Sequence, residues 1–208
     1  MRITIIGTGY IGLTEGLCLA YLGHDVTCVD TDKTKIEKLS KGIPTLYEEG
    51  LEDYLKSDLK NNKISFTTDL KLALSNTEVV FICVNTPENP IDGSADLKYV
   101  FGVAEEIAEK AKDNFVLVIR STVPIGTNAE VKKLIKDKNP KLKFEIASNP
   151  EFSKQGTALK DFLHPDRIIV GTETEDTKEK MDELYKPITK DGYPIFFCNI
   201  ETAELIKY

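Results

Sequence analysis

The sequence predicts a doubly wound α/β fold, a mostly parallel sheet with helices on both faces. Three observations carry that expectation. Short apolar runs alternate along the whole chain with stretches of helical periodicity, the order that βαβ units impose. The run V-V-F-I-C-V at 79–84 is apolar at every position, as in a strand covered on both faces. The first run opens directly into G-T-G-Y-I-G, three glycines at the spacing that joins a strand to a helix around a phosphate.

Taken in order, residues 3–6 read as the first strand, followed by the glycine turn and a helix through 22. A strand at 26–30, a helix at 33–39 and a short strand at 64–67 precede the apolar run at 79–84. A long helix at 97–112 leads to a strand at 115–119, and a helix at 128–136 to a strand at 144–147. Strands at 167–170 and 195–198 follow, with a helix at 176–185 between them. Pro124, Pro150, Pro165 and Pro187 read as loop punctuation, because proline lacks the amide that an element interior needs. With no repeat or flexible linker, residues 1–198 read as one domain. The closing E-T-A-E-L-I-K-Y sets Ala203, Leu205 and Ile206 among charges, the opening turns of an amphipathic helix at 199–208 without a stop signal.

Composition narrows the function classes. The chain has 208 residues, enough for one large core. A net charge of -7, with no cluster of Lys or Arg, argues against binding nucleic acid through phosphate contacts. No apolar run approaches the roughly 18–20 residues of a membrane span. Cys18, Cys28, Cys83 and Cys198 each lie in or beside an apolar run and form no C-x-x-C pair. They are expected as reduced, buried thiols in a cytoplasmic protein, and no clustered spacing predicts a metal site.

In the glycine turn, Gly7 permits the tight bend, Gly9 lets a pyrophosphate approach the backbone, and Gly12 lets the helix pack close to the strand. The helix N-terminus then turns free amides and a favourable dipole toward the phosphates. Asp30 ends the second strand, where a carboxylate accepts from ribose hydroxyls and repels a 2′-phosphate; NAD is therefore expected over NADP. Lys35, one turn into the next helix, is placed to reach the ribose or pyrophosphate and to soften that bias.

Ligands of such sheets bind outside the carboxyl ends of the strands. The loops there read V-N-T-P-E-N-P-I-D-G-S-A-D-L, R-S-T-V-P-I-G-T and S-N-P-E-F-S-K-Q-G, all polar and long for mere connectors. Thr86 and Thr122 stand just past apolar strands, toward the nicotinamide half, and Glu151 follows the stiffening Pro150. A carboxylate at such a mouth can act as a base or hold a water. Position alone equally accommodates a surface glutamate and two capping threonines.

These loops, with D-F-L-H-P-D-R-I-I-V-G and E-T-A-E-L-I-K-Y, resemble the UDP-glucose/GDP-mannose dehydrogenase family over essentially the whole chain. The resemblance implies a Rossmann-type NAD-binding domain and oxidation of a sugar C6 alcohol to a carboxylate in two hydride transfers to NAD. It also implies a cysteine that forms a thiohemiacetal and then a thioester, which water hydrolyses. The loops are most like those of members acting on UDP-glucose, which names the expected substrate. By matching positions, Gly7, Gly9, Tyr10, Ile11 and Gly12 correspond to the pyrophosphate loop, and Asp30 and Lys35 to the adenosine-ribose contacts. Val84, Thr86 and Thr122 correspond to further cofactor contacts, and Thr122 also to the residue that places the hydrolytic water. Glu151 corresponds to the catalytic glutamate, and Glu151, Phe152, Ser153, Lys154 and Gln155 to the segment that holds the nucleotide sugar. Lys207 corresponds to the lysine that meets the substrate and stabilises its developing oxyanion.

Two departures qualify the transfer. The family usually has glutamate where Gln155 stands, and often arginine or alanine in place of Lys154. Gln155 keeps acceptor capacity toward NAD but cannot act as a base. None of the four cysteines lies in the glycine-rich segment that carries the family's nucleophile. The expectation is thus an NAD-binding domain at 1–198 and the start of an interdomain helix at 199–208, with the second domain absent. Lys207 is expected to be mobile, and the chain to bind NAD without completing the oxidation. The whole protein is expected to be a homodimer, this chain a monomer. A stand-alone NAD or nucleotide-sugar sensing module, or a dehydrogenase of another nucleotide sugar, fits the same residues.

Overall fold

A computed structural model describes residues 1–112 and 114–207. Tyr208, the last residue of the helix read at 199–208, lies outside the described residues. The strands are β1 (Arg2–Ile6), β2 (Asp25–Val29), β3 (Ile64–Thr67), β4 (Val79–Ile82), β5 (Phe115–Ile119), β6 (Phe144–Ser148), β7 (Ile168–Thr172) and β8 (Ile195–Cys198). The helices are α1 (Tyr10–Tyr21), α2 (Lys33–Ser40), α3 (Leu51–Lys60), α4 (Leu70–Ala73), α5 (Lys98–Lys110), α6 (Thr127–Lys138), α7 (Ala158–Leu163), α8 (Glu175–Thr189) and α9 (Ile200–Ile206).

One sheet holds all eight strands in the order β3-β2-β1-β4-β5-β6-β7-β8. The first six run parallel; β7 pairs antiparallel with β6, and β8 returns parallel to β7. From β1 the chain winds outward to β3, then re-enters beside β1 as β4 and winds the other way. Neighbouring crossovers therefore part at the carboxyl ends of β1 and β4 and leave a crevice. Side chains of the central strands alternate between two cores. Ile3, Ile5, Val79, Phe81, Val116 and Val118 face one. Ile6, Val80, Ile82, Leu117 and Ile119 face the other. Every residue of β4 and β5 is buried, which explains their unbroken apolar reading.

Two sequence expectations are corrected, and one helix is new. Pro187 lies inside the last turn of α8, not in a loop. Tyr185 and Ile188, both buried, hold that turn on the core and offset the amide that Pro187 lacks. Cys18, Cys28 and Cys83 are buried free thiols, but Cys198 is only half-buried, at the end of the edge strand β8. Helix α3 was not anticipated. It carries Leu51, Leu55 and Leu59 at helical spacing but starts from Gly50 at φ +79° with no capping side chain.

Candidate functional site at the carboxyl ends of the strands

The glycine turn is built by steric necessity at two positions and by vacancy at the third. Gly7 adopts φ +98°, and a Cβ there would lie 2.7 Å from the Cys83 carbonyl oxygen. A Cβ on Gly12 would lie 1.9 Å from the Gly7 carbonyl oxygen, so α1 can sit this close to β1 only without a side chain. At Gly9 the nearest atom would be Asn85 Oδ1, 3.9 Å away. Gly9 is thus dispensable for the fold itself, and its open face borders the crevice. The residues fit a dinucleotide: bare backbone at the N-terminus of a twelve-residue helix, with a carboxylate beyond.

That carboxylate is Asp30, immediately after β2. Its Oδ2 accepts from the Thr8 amide at 2.9 Å, the Thr8 hydroxyl at 2.7 Å and Lys35 Nζ at 2.9 Å. Its Oδ1 accepts from the Asp32 amide at 3.0 Å and keeps a lone pair for a ribose hydroxyl. Burial works against ionisation, but these donors outweigh it and hold the carboxyl at about 2. Lys35 is therefore paired with Asp30 and neutralises part of its charge. A cleft of about 350 Å³ runs from Asp30 and Lys35 past Gly7 and Gly9 to Val84.

A second cleft, about 190 Å³, continues between Gly9, Tyr10, Ile11, Val84, Thr86, Thr122 and Glu151. Predicted residues from four distant segments meet here. The Thr86 hydroxyl is spent on the Thr122 carbonyl, at 2.8 Å, and the Ser121 hydroxyl donates to the Val84 carbonyl at 2.7 Å. Thr86 thus ties two loops together, while Thr122 lines the cleft beside Glu151.

Lys207 is tied to Glu151 in the structure. Its Nζ donates to Glu151 Oε1 at 2.7 Å and also to the Glu151 carbonyl. This corrects the expectation that a short terminal helix would leave it free. Phe152 carries Arg167 over its ring at 4.5 Å and Lys207 at 5.6 Å from the centroid. The Ser153 amide donates back to Glu151 Oε2 at 2.7 Å, and the Lys154 amide to Asp161 Oδ2 at 2.9 Å. Gln155 stands exposed and lines neither cleft.

Several buried groups hold this arrangement and were missed from sequence. Glu48 accepts from the Gly156 amide at 2.9 Å, the Ala158 amide at 2.7 Å and the Tyr10 hydroxyl, clamping the 151–157 loop to the glycine turn. Burial first and Glu48 second raise the Tyr10 phenol. Arg120 Nε lies 2.8 Å from Glu15 Oε2, close but off-axis, and both side chains are buried. Arg120 Nη1 donates to the carbonyls of Asn149 at 3.0 Å and Pro150 at 3.3 Å, directly before Glu151. Burial raises the Glu15 carboxyl, against the pull of Arg120. Glu15 had a visible signal, a lone charge inside the apolar stretch L-T-E-G-L-C-L. Glu48 had none.

A doubly wound sheet with a glycine turn, a carboxylate just past β2 and a continuous crevice defines an NAD-binding dehydrogenase domain. Residues 1–189 match the NAD binding domain of the UDP-glucose/GDP-mannose dehydrogenase family, and the chain belongs to that family. A UDP-glucose 6-dehydrogenase of Rhizobium meliloti is 45% identical over 210 residues, which cover 100% of this chain and 48% of that protein. The ternary complex of GDP-mannose dehydrogenase from Pseudomonas aeruginosa superposes with TM-score 0.93 at 37% identity, covering 100% of this chain and 48% of that one. A UDP-glucose dehydrogenase of the archaeon Pyrobaculum islandicum gives TM-score 0.92 at 36% identity, covering 99% and 48%. The chain spans about half the length of the curated relatives it matches. Among the described residues no helix is long and apolar enough to cross a membrane.

Proposed function

We propose that the chain is the cofactor-binding half of an enzyme that oxidises UDP-glucose to UDP-glucuronate, with residues 1–198 as the NAD domain and 199–208 opening the helix to a sugar-binding domain. The observation that supports this best is that Thr122 and Glu151 line the cleft that continues from the glycine turn, with Lys207 bonded to Glu151. In this reading the amides at Gly9, Tyr10 and Ile11 hold the pyrophosphate and Asp30 accepts from the adenosine ribose, with Lys35 beside it. Val84, Thr86 and Thr122 border the nicotinamide. Bound NAD supplies the hydride acceptor. Glu151 and Thr122 orient water, and Lys207 donates to the oxygen on which negative charge grows. Phe152, Ser153 and Lys154 present backbone and side-chain groups to the nucleotide sugar, and Gln155 an amide at the loop's exposed edge.

Oxidation as far as a carboxylate through a thioester needs a thiolate. Burial raises the Cys18, Cys28, Cys83 and Cys198 thiols, which supports none of the four as that thiolate. The family resemblance implies a nucleophile in a glycine-rich segment outside these positions. Calorimetry should show NAD binding, with NADP weaker, and mixing the chain with NAD and UDP-glucose should give no sustained NADH. Absence of heat at millimolar NAD would overturn the cofactor reading. Sustained turnover would overturn the argument from the cysteines. A panel of UDP-glucose, UDP-N-acetylmannosamine and GDP-mannose, tested on the whole enzyme, decides the sugar.

A further inference from the structure

Helix α9 is only seven residues long, yet it sets Lys207 firmly on Glu151. Its anchor is Glu204, a carboxylate that is 2% exposed and pairs with no cation among the described residues. Glu204 Oε2 accepts from the Gly126 amide at 2.7 Å, and Oε1 from the Asn128 amide at 2.8 Å and Asn128 Nδ2 at 2.7 Å. These amides belong to the N-terminus of α6. Its cap position is Gly126, at φ +93°, which has no side chain to satisfy them. A carboxylate from 76 residues away fills the place of the missing cap and meets the positive end of the helix dipole.

The rest of α9 only seats it. Ala203 and Ile200 lie in a notch at Gly171, where an added Cβ would come within 2.6 Å of Ala203 Cβ and 2.8 Å of Ile200 Cα. That notch permits contact but supplies no direction. The directed bonds are those of Glu204, three residues before Lys207 and so on a neighbouring strip of the same helix. Both Glu204 oxygens are engaged, which leaves it no role as a base or a ligand group.

We propose that Glu204 is a positioning residue that sets the Lys207 ammonium against Glu151 by capping α6. The significance of that placement rests on the reading of Lys207 as a substrate-facing group. The test is selective acylation of lysines by a limiting amine reagent, with site rates read by peptide mass spectrometry and NAD binding measured in parallel. Lys33, whose side chain is 83% exposed, serves as the internal reference. In the unaltered chain Lys207 should react about tenfold more slowly than Lys33, and Glu204→Gln should bring it to about the Lys33 rate, the scale set by losing a charge-assisted hydrogen bond. If that variant does not fold, Asn128→Ala removes one of three donors and should raise the Lys207 rate about threefold. A folded Glu204→Gln chain with the Lys207 rate unchanged overturns the proposal, as does an unaltered chain in which Lys207 reacts as fast as Lys33. Failure of NAD binding in the unaltered chain would count against the cofactor reading and leave the lysine result standing.

Discussion

Asp58 shows what the molecule does with a carboxylate that has no task at the crevice. It sits buried in α3, its Oδ2 has no partner among the described residues, and burial lifts its carboxyl to about 6. The folded state therefore binds more protons than the unfolded state between the ordinary value of 3.8 and about 6, and stability falls as pH rises through that window. Asp30 runs the other way: held at about 2, it stabilises the fold above 3.8 and loses that contribution as pH falls toward 2. The full Asp58 shift corresponds to about 3 kcal/mol, which relaxation and water penetration around the ionised carboxylate reduce to about 1–2 kcal/mol. Asp58→Asn should raise stability by that amount at about pH 7.5 and leave it unchanged at about pH 2.5, where both states are protonated. Urea titrations at the two pH values check the sign, and an equal gain at both would show that burial of charge is not the cause. Asp30 was legible because a motif fixes its distance from the glycine turn. Asp58 was not, because the polar stretch S-D-L-K-N-N carries no sign of burial, which comes only when α3 packs against the rest of the fold.

At the scale of elements, legibility follows how local the cause is. The glycine turn, β4 and β5 could be read directly, since each depends on residues within one segment. Pro187 misled because burial of Tyr185 and Ile188 decides where α8 stops. The reversal at β7 left no trace, since an apolar run carries no sign of strand direction. The three glycines of the turn nevertheless differ in a way that sequence spacing hides. Gly12→Ala forces Cβ against a backbone oxygen at 1.9 Å and should cost about 2–3 kcal/mol, with NAD binding lost as α1 is displaced. Gly9→Ala meets nothing nearer than 3.9 Å and keeps an ordinary φ of -71°. It should change stability by less than about 0.5 kcal/mol yet weaken NAD at least about tenfold, because the new methyl stands where the pyrophosphate approaches. Thermal melts and NAD titrations of the two variants separate the roles. A Gly9→Ala chain that binds NAD normally would remove the pyrophosphate from this face of the turn.

The whole molecule joins loops that are far apart in sequence, and this is where sequence reading stopped. Thr122, Glu151 and Lys207 could each be named, but not the pairing of Lys207 with Glu151, nor the Glu15–Arg120 ion pair beneath the loop. Such pairings exist only once the sheet has set its strand ends side by side. The crevice draws on β1, β2, β4, β5 and β6 at once, so a ligand along it should stabilise the fold globally rather than one loop. For a ligand that binds only the folded state, a concentration of 100 times Kd adds about 2.7 kcal/mol. In a domain of this size that corresponds to a rise in Tm of about 5–10 °C. NAD should produce it, ADP-ribose most of it, and Asp30→Ala should abolish most of it at the same NAD concentration, because the ribose loses its acceptor. NADP should produce a smaller shift, since its 2′-phosphate meets the Asp30 carboxylate, with Lys35 limiting the penalty. Differential scanning fluorimetry across these ligands makes the comparison. Equal shifts from NAD with and without Asp30 would place the adenosine elsewhere and sever the crevice into two unrelated clefts.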